Sequence, residues 1–132
     1  MKLYYEAQGR DVFSVLPVTF HIKKGEHDPE FHKFAEYYAD EEARRQRDPS
    51  HHNIWIIKPG ENTNRGQGIQ VAKDFEEIRG ILKDCVDSGP NKPPCIVQKY
   101  LHNALLINRR KFDIRAYSLM TSVNGRLKGY FY

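Results

Sequence analysis

The chain has 132 residues and a mass of 15.5 kDa, the size of one domain. Its aromatic content of 12% is too high for a disordered chain, and at a mean hydropathy of −0.72 no apolar run approaches the roughly 18 residues of a membrane-crossing helix. Lys and Arg number 21 against 17 Asp and Glu, a balance of +4 that suits an acidic partner without choosing among nucleic acid, nucleotide and acidic peptide.

In chain order, the first fifteen residues lack the apolar stretch of a secretion signal, and Cys85 and Cys95 form no CxxC pattern. A soluble intracellular protein with reduced thiols is expected. Residues 12–22 (VFSVLPVTFHI) are rich in β-branched and aromatic types and predict extended chain interrupted at Pro17. Asp28 and Pro29 predict a helix start, with Asp28 as N-cap. Phe31, Phe34, Ala35 and Tyr38 continue it at helical spacing to about Arg47. The far end, EEARRQRDPSHH, is polar all round and reads as a solvated connector. Residues 53–58 (NIWIIK) form a short apolar strand, residues 59–68 (PGENTNRGQG) a loop dense in Gly and Asn, and residues 69–72 (IQVA) a second strand.

Asp74 and Glu77 make a capping-box pattern. The helix it opens buries Phe75, Ile78, Ile81, Leu82 and Cys85 and ends before Ser88-Gly89-Pro90. Residues 95–100 (CIVQKY) predict a strand, residues 101–110 a connection, and residues 111–122 (KFDIRAYSLMTS) one long strand. Asn124-Gly125 then supplies a hairpin turn, with RLKGYFY returning. The expected class is α+β, a mostly antiparallel sheet with flanking helices, divided into an N-terminal segment 1–52 and a second portion 53–132. The last strand meets no stop signal at Tyr132, so the polypeptide is expected to continue beyond it.

Three features bear on chemistry. The loop ahead of Gly68 lacks the GK[ST] of a Walker A motif, and only Gly66 and Gly68 keep a GxG spacing. A Gly-rich hairpin lets backbone N–H groups approach phosphate oxygens, although a plain long hairpin would read the same way. Lys58 closes a strand in which alternation sets Ile54, Ile56 and Lys58 on one face, so a cation follows two positions expected to be buried. It suits a phosphate oxygen, or a lysine snorkelling at a strand end. Period-two alternation also puts Lys111, Asp113 and Arg115 on one strand face, which fits either a solvated face or a polyphosphate. The six histidines follow no HExxH or Cys/His spacing and read as surface residues. Basic and aromatic residues interleave from Tyr100 to Tyr132, yet no RNP-like motif accompanies them, which disfavours a single-stranded nucleic-acid binder.

In order and spacing, WIIKPGENTNRGQGI, IVQKYLHNALLINRRKFDIRAYSLMTS and NGRLKGYFY resemble the tubulin-tyrosine-ligase-like family from residue 53 to 132, and VLPVTF resembles its upstream segment. The resemblance implies a partial ATP-grasp fold and ATP-dependent ligation of an amino acid, glutamate by family breadth, to the acidic tail of tubulin through an acyl phosphate. It implies that Lys58 holds ATP phosphates and that the loop at Arg65 and Gly66 covers them, with Arg65 also facing the tail. Gln98, Lys99, Tyr100 and Leu101 would line the adenine pocket, largely through backbone atoms. Lys111 and Asp113 would contact the nucleotide, and Arg115 would act as a catalytic phosphate ligand. ATP and Mg2+ are the implied cofactors, and the family's metal ligands, an Asp and a Glu-x-Asn, are expected beyond residue 132. The chain alone is therefore expected to be inactive. Tubulin and a free amino acid are the implied partners, with neither nucleic acid nor membrane, and the implied location is the cytoplasm, cytoskeleton or cilium. The alternative is a non-catalytic nucleotide- or tubulin-binding remnant.

Overall fold

The computed structural model describes residues 2–60, 67–86 and 94–132. Through residue 102 the elements are α1 (Lys2–Ala7), β1 (Thr19–Ile22), α2 (Pro29–Arg47), β2 (Trp55–Lys58), β3 (Gln70–Ala72), α3 (Phe75–Val86) and β4 (Cys95–Lys99). The strands form one antiparallel sheet in the order β1-β4-β2-β3. β1 comes from the first segment of the sequence and β4 from the second, so the sheet draws on both.

Alternation along the strands sets Phe20, Ile22, Trp55, Ile57, Cys95 and Val97 on one face, and all are buried. Helices α2 and α3 cover that face with Phe31, Phe34, Tyr38, Ile78 and Leu82. Phe34, fully buried, meets Trp55 edge-on at 5.0 Å and stacks on Phe75 at 6.0 Å. Such ring pairs add about 0.5–1.5 kcal/mol each beyond their area.

The predicted start of α2 holds. The Oδ1 atom of Asp28 accepts the Glu30 N–H at 3.0 Å, and its Oδ2 accepts the N–H groups of Lys23 at 2.7 Å and Lys24 at 3.0 Å. Burial pushes the Asp28 carboxyl up, but these three donors outweigh it and hold the pKa below the usual range. Cys85 lies on α3 and the buried Cys95 on β4.

Four expectations are corrected. Residues 12–22 are not extended throughout: Asp11 caps a 3-10 turn at Val12–Ser14 by accepting the Phe13 N–H at 2.9 Å, and the strand is confined to β1. In β2 the helices cover the face of Trp55 and Ile57, so Ile56 and Lys58 lie half-buried on the opposite face. The polar end of α2 is not solvated all round, because Glu41 is only 3% exposed. The single long strand expected over residues 111–122 is broken, and the connection before it contains a hairpin.

Residues 103–132 form a second compact unit. In it β5 (Leu106–Ile107) pairs with β6 (Arg110–Lys111), and β7 (Ser118–Val123) pairs with β8 (Arg126–Phe131). Residues 112–116 lie between these ladders without a strand partner among the described residues, which is why the run is interrupted, whereas Tyr117 already exchanges backbone hydrogen bonds with Tyr132 at 3.0 and 2.9 Å. Asn124 (φ 51°) and Gly125 (φ 74°) make the expected hairpin turn, both in the left-handed region that a two-residue connection requires.

Candidate functional site

Lys58 ends β2 on the face away from the helices. Its cross-strand partner is Ile96, while Gln98 sits opposite Ile56, so Lys58 and Gln98 are diagonal neighbours on that outer face. The Lys58 ammonium donates to Gln98 Oε1 at 2.8 Å. Gln98 Nε2 donates to Thr19 Oγ1 at 2.8 Å, and the Thr19 hydroxyl donates to the Pro17 carbonyl at 2.8 Å. This row ties β2, β4 and β1 together and fixes which way the Gln98 amide points. Beside it a groove of about 450 Å³ has Val12, Phe13 and Leu16 together with Thr19, His21 and Gln98 among its lining residues. The ammonium has three donors, and among the described residues Gln98 takes one, so a phosphate oxygen could be met by the others.

The turn that closes the Gly-rich loop abuts this strand end. Gly68 has φ +75°, and a Cβ placed there would lie 3.0 Å from Pro59 Cγ. Glycine is therefore required by conformation and by space, and the chain returns into β3 directly beside the end of β2. The predicted site residues Arg65 and Gly66 lie outside the described residues.

Lys99 follows Gln98 in sequence but points to the other face. Opposite Trp55 in the register, its ammonium bonds Glu41 Oε2, lies 5.1 Å from the Trp55 ring centroid and reaches Asn53 Oδ1 at 3.4 Å. Glu41 also accepts from Arg44 at 2.9 Å and lies 3.0 Å from His51 Nε2. Burial raises the Glu41 pKa, but the bonds and charges of Lys99 and His51 outweigh it, leaving the carboxyl below the usual range. Asn53, 3% exposed, accepts the Trp55 indole N–H at 2.7 Å and donates to the Tyr38 carbonyl at 3.3 Å. The Lys99 N–H bonds the Val18 carbonyl and the Tyr100 N–H bonds the Ile54 carbonyl. A ligand edge at this strand end would thus be met by other groups, such as those of exposed Leu101.

Lys111 lies in β6 opposite Leu106, while Asp113 and Arg115 lie in the irregular stretch that follows, and all three are exposed. The shared strand face expected of them does not form. Within the first unit, then, Lys58 and Gln98 are brought together and Lys99 is turned away. Sequence reasoning missed Glu41, Asn53 and Thr19. Glu41 carried a usable signal, since it continues the stripe of Phe31, Phe34 and Tyr38. Among the described residues no group of three or more His, Cys, Asp or Glu side chains assembles as a metal site. No described helix is long and apolar enough to cross a membrane.

The model of the tubulin-tyrosine ligase family matches residues 5–132. A human protein named as a probable tubulin polyglutamylase is 35% identical over 114 residues, 86% of this chain and 16% of its own length. Tubulin glycylase 3D of Tetrahymena thermophila is 42% identical over 60% of this chain and 7% of its own length. Tubulin glycylase 3B of Drosophila melanogaster is 44% identical over 52% of this chain and 8% of its own length. The chain thus spans a sixth or less of these relatives. No solved structure gives a significant match.

Proposed function

Since the chain belongs to the tubulin-tyrosine ligase family, we propose that it supplies part of the ATP site of a ligase that joins glutamate to the acidic tail of tubulin. The relatives act on tubulin by name, and the match to the polyglutamylase extends over more of this chain than those to the two glycylases. The fold proposed for the whole enzyme is an ATP grasp, and its place is the cytoskeleton or cilium. In the reaction, a tail carboxylate attacks the γ-phosphorus of ATP and ADP leaves. The amine of the incoming amino acid then attacks the acyl phosphate, releasing phosphate and a proton as the amide forms. Magnesium supplies charge neutralisation in such a transfer.

The chain's own residues bind and orient. The observation that carries the reading is the Lys58 ammonium, held on Gln98 at the mouth of the loop closed by Gly68. Lys58 would meet phosphate oxygens, and Arg65 and Gly66 would close over them, with Arg65 also facing the tail. The strand end from Gln98 through Lys99 and Tyr100 to Leu101 would flank the base. Lys111 and Asp113 would contact the nucleotide, and Arg115 would stabilise charge on the transferring phosphoryl group.

The test is binding of a non-hydrolysable ATP analogue by calorimetry, comparing the wild type with Lys58→Met. Loss of one charge-assisted contact worth about 1.5–3 kcal/mol should weaken binding roughly tenfold to a hundredfold. An unchanged Kd overturns the assignment of Lys58, and absence of binding by the wild type overturns the ATP-site reading of this chain.

A further inference from the structure

Positive charge is not spread evenly along the chain. Residues 103–132 hold Arg109, Arg110, Lys111, Arg115, Arg126 and Lys128 against Asp113 alone, a net +5, while the chain as a whole carries +4. The first unit therefore sits near neutrality with 15 basic and 16 acidic residues, and the entire excess lies in the last 30 residues.

Within that unit the β7–β8 ribbon organises two of the cations. In the register Leu119 faces Tyr130, Thr121 faces Lys128 and Val123 faces Arg126, so Arg126, Lys128 and Tyr130 share one face. A groove of about 600 Å³ lies on that face, lined by Thr121, Val123, Asn124, Arg126, Lys128 and Tyr130. Every residue of β8 is exposed, and neither Arg126 nor Lys128 is ion-paired among the described residues.

We propose that this face of the β7–β8 ribbon is a docking surface for an extended acidic peptide. Residues two apart on a strand stand about 6.6–6.8 Å apart on one face, and alternate side chains of an extended peptide have the same spacing. Glutamates at every second position of such a peptide would thus register with Arg126 and Lys128, while Tyr130 covers their methylene stems. β8 pairs only with β7 among the described residues. A peptide lying along its outer edge could add a backbone ladder, which a nucleic-acid strand cannot make. The inference rests on the ligase reading only for the source of the peptide, the acidic tail. It concerns residues that the ATP site does not use.

The experiment is fluorescence anisotropy of a labelled octaglutamate peptide titrated with the protein at low and moderate salt. The expected results are salt-sensitive binding and a loss of about five- to tenfold in Arg126→Gln/Lys128→Gln. Lys23→Gln/Lys24→Gln removes two charges from the other unit and should change affinity less than twofold. Lys128→Arg, which keeps the charge, should retain wild-type affinity and guards against a folding artefact. Equal losses in both double variants would reduce the effect to bulk charge and overturn the proposal. Absent octaglutamate binding would overturn it too, as would tighter binding of an oligothymidylate of equal charge that displaces the peptide. ATP-analogue binding measured on Arg126→Gln/Lys128→Gln should be unchanged, so failure here and failure of the nucleotide reading are told apart.

Discussion

The buried carboxylate of Glu41 offers the sharpest test of how the first unit is held together. Its side chain is 4% exposed and the Lys99 side chain 17% exposed. Glu41→Gln preserves the shape of the side chain but leaves the Lys99 ammonium without its countercharge. Breaking a buried pair from one side costs about 3–5 kcal/mol, and exposed pairs are worth under ~1. Lys99 keeps the Trp55 ring and Asn53 Oδ1 as partners and stays partly solvated, which places the expected loss near the lower bound, about 3 kcal/mol. That is a more than hundredfold shift in the folding equilibrium and, for a unit of this size, a Tm lower by about 12 °C. Urea unfolding followed by tryptophan fluorescence reports it directly, because Trp55 is the sole tryptophan and lies under Lys99. In Glu41→Gln/Lys99→Met the stranded charge is gone, so about 1 kcal/mol or more should be regained. The pH dependence follows from the depressed carboxyl. Its stabilisation is fully present above the unfolded-state pKa of about 4.3 and is lost as pH falls through the lower folded-state value. The gap between wild type and Glu41→Gln should therefore shrink as the pH falls below about 4. A loss under about 0.5 kcal/mol, the ordinary effect of a surface change, would refute the reasoning. A gap that persists undiminished in acid would refute it as well.

Two further outcomes are expected. Asp28→Ala removes the acceptor of three backbone N–H groups at the entry to α2, so stability should fall by about 2–3 kcal/mol in urea unfolding. A loss below about 0.5 kcal/mol would show that those donors are otherwise satisfied. Arg109 carries a side chain at φ 62° in the β5–β6 turn, a conformation costing about 1–2 kcal/mol outside glycine. After the added unfolded-state entropy of glycine, Arg109→Gly should stabilise the hairpin by about 0.5–1 kcal/mol. Amide exchange across the Leu106–Lys111 pair should then slow about two- to fivefold, whereas faster exchange would mean that the arginine itself holds the turn.

How much of this could be read from the chain depends on which interactions are local. The Asp28 cap, the apolar stripe of α2 and the Asn124-Gly125 turn were legible, because each is specified within a few residues of itself. The β5–β6 hairpin was hidden because its turn is Asn108-Arg109, without the glycine that ordinarily announces such a connection. The face of β2 was misassigned because NIWIIK is apolar at successive positions. Period two alone could not say whether Ile56 or Trp55 would meet the helices. Glu41 was hidden by its chemistry. It occupies a core position of α2, but its partners Lys99 and His51 lie 58 and 10 residues away, and a charged residue at a core position is legible only once its countercharge is known.

The same distinction bears on Gln98 and Lys99, which the family resemblance assigns together to one pocket. Adjacent strand residues must point to opposite faces, so the two side chains cannot line the same surface. In the structure Gln98 goes to the outer face with Lys58 and Thr19, and Lys99 goes to the helix side with Glu41 and Trp55. The outer-face row is built of half-buried polar groups beside a groove, so a ligand can reach it. The helix-side cluster spends its cation on a buried carboxylate and an aromatic ring. If β4 lines a nucleotide, Lys58 and Gln98 present the sheet's side chains able to touch it, beside the backbone of the strand end, and the Lys99 side chain acts by bracing the end of the strand against α2. Substitution of Lys99 should then lower stability first, and nucleotide affinity only through the loosened strand. Substitution of Lys58 should do the reverse.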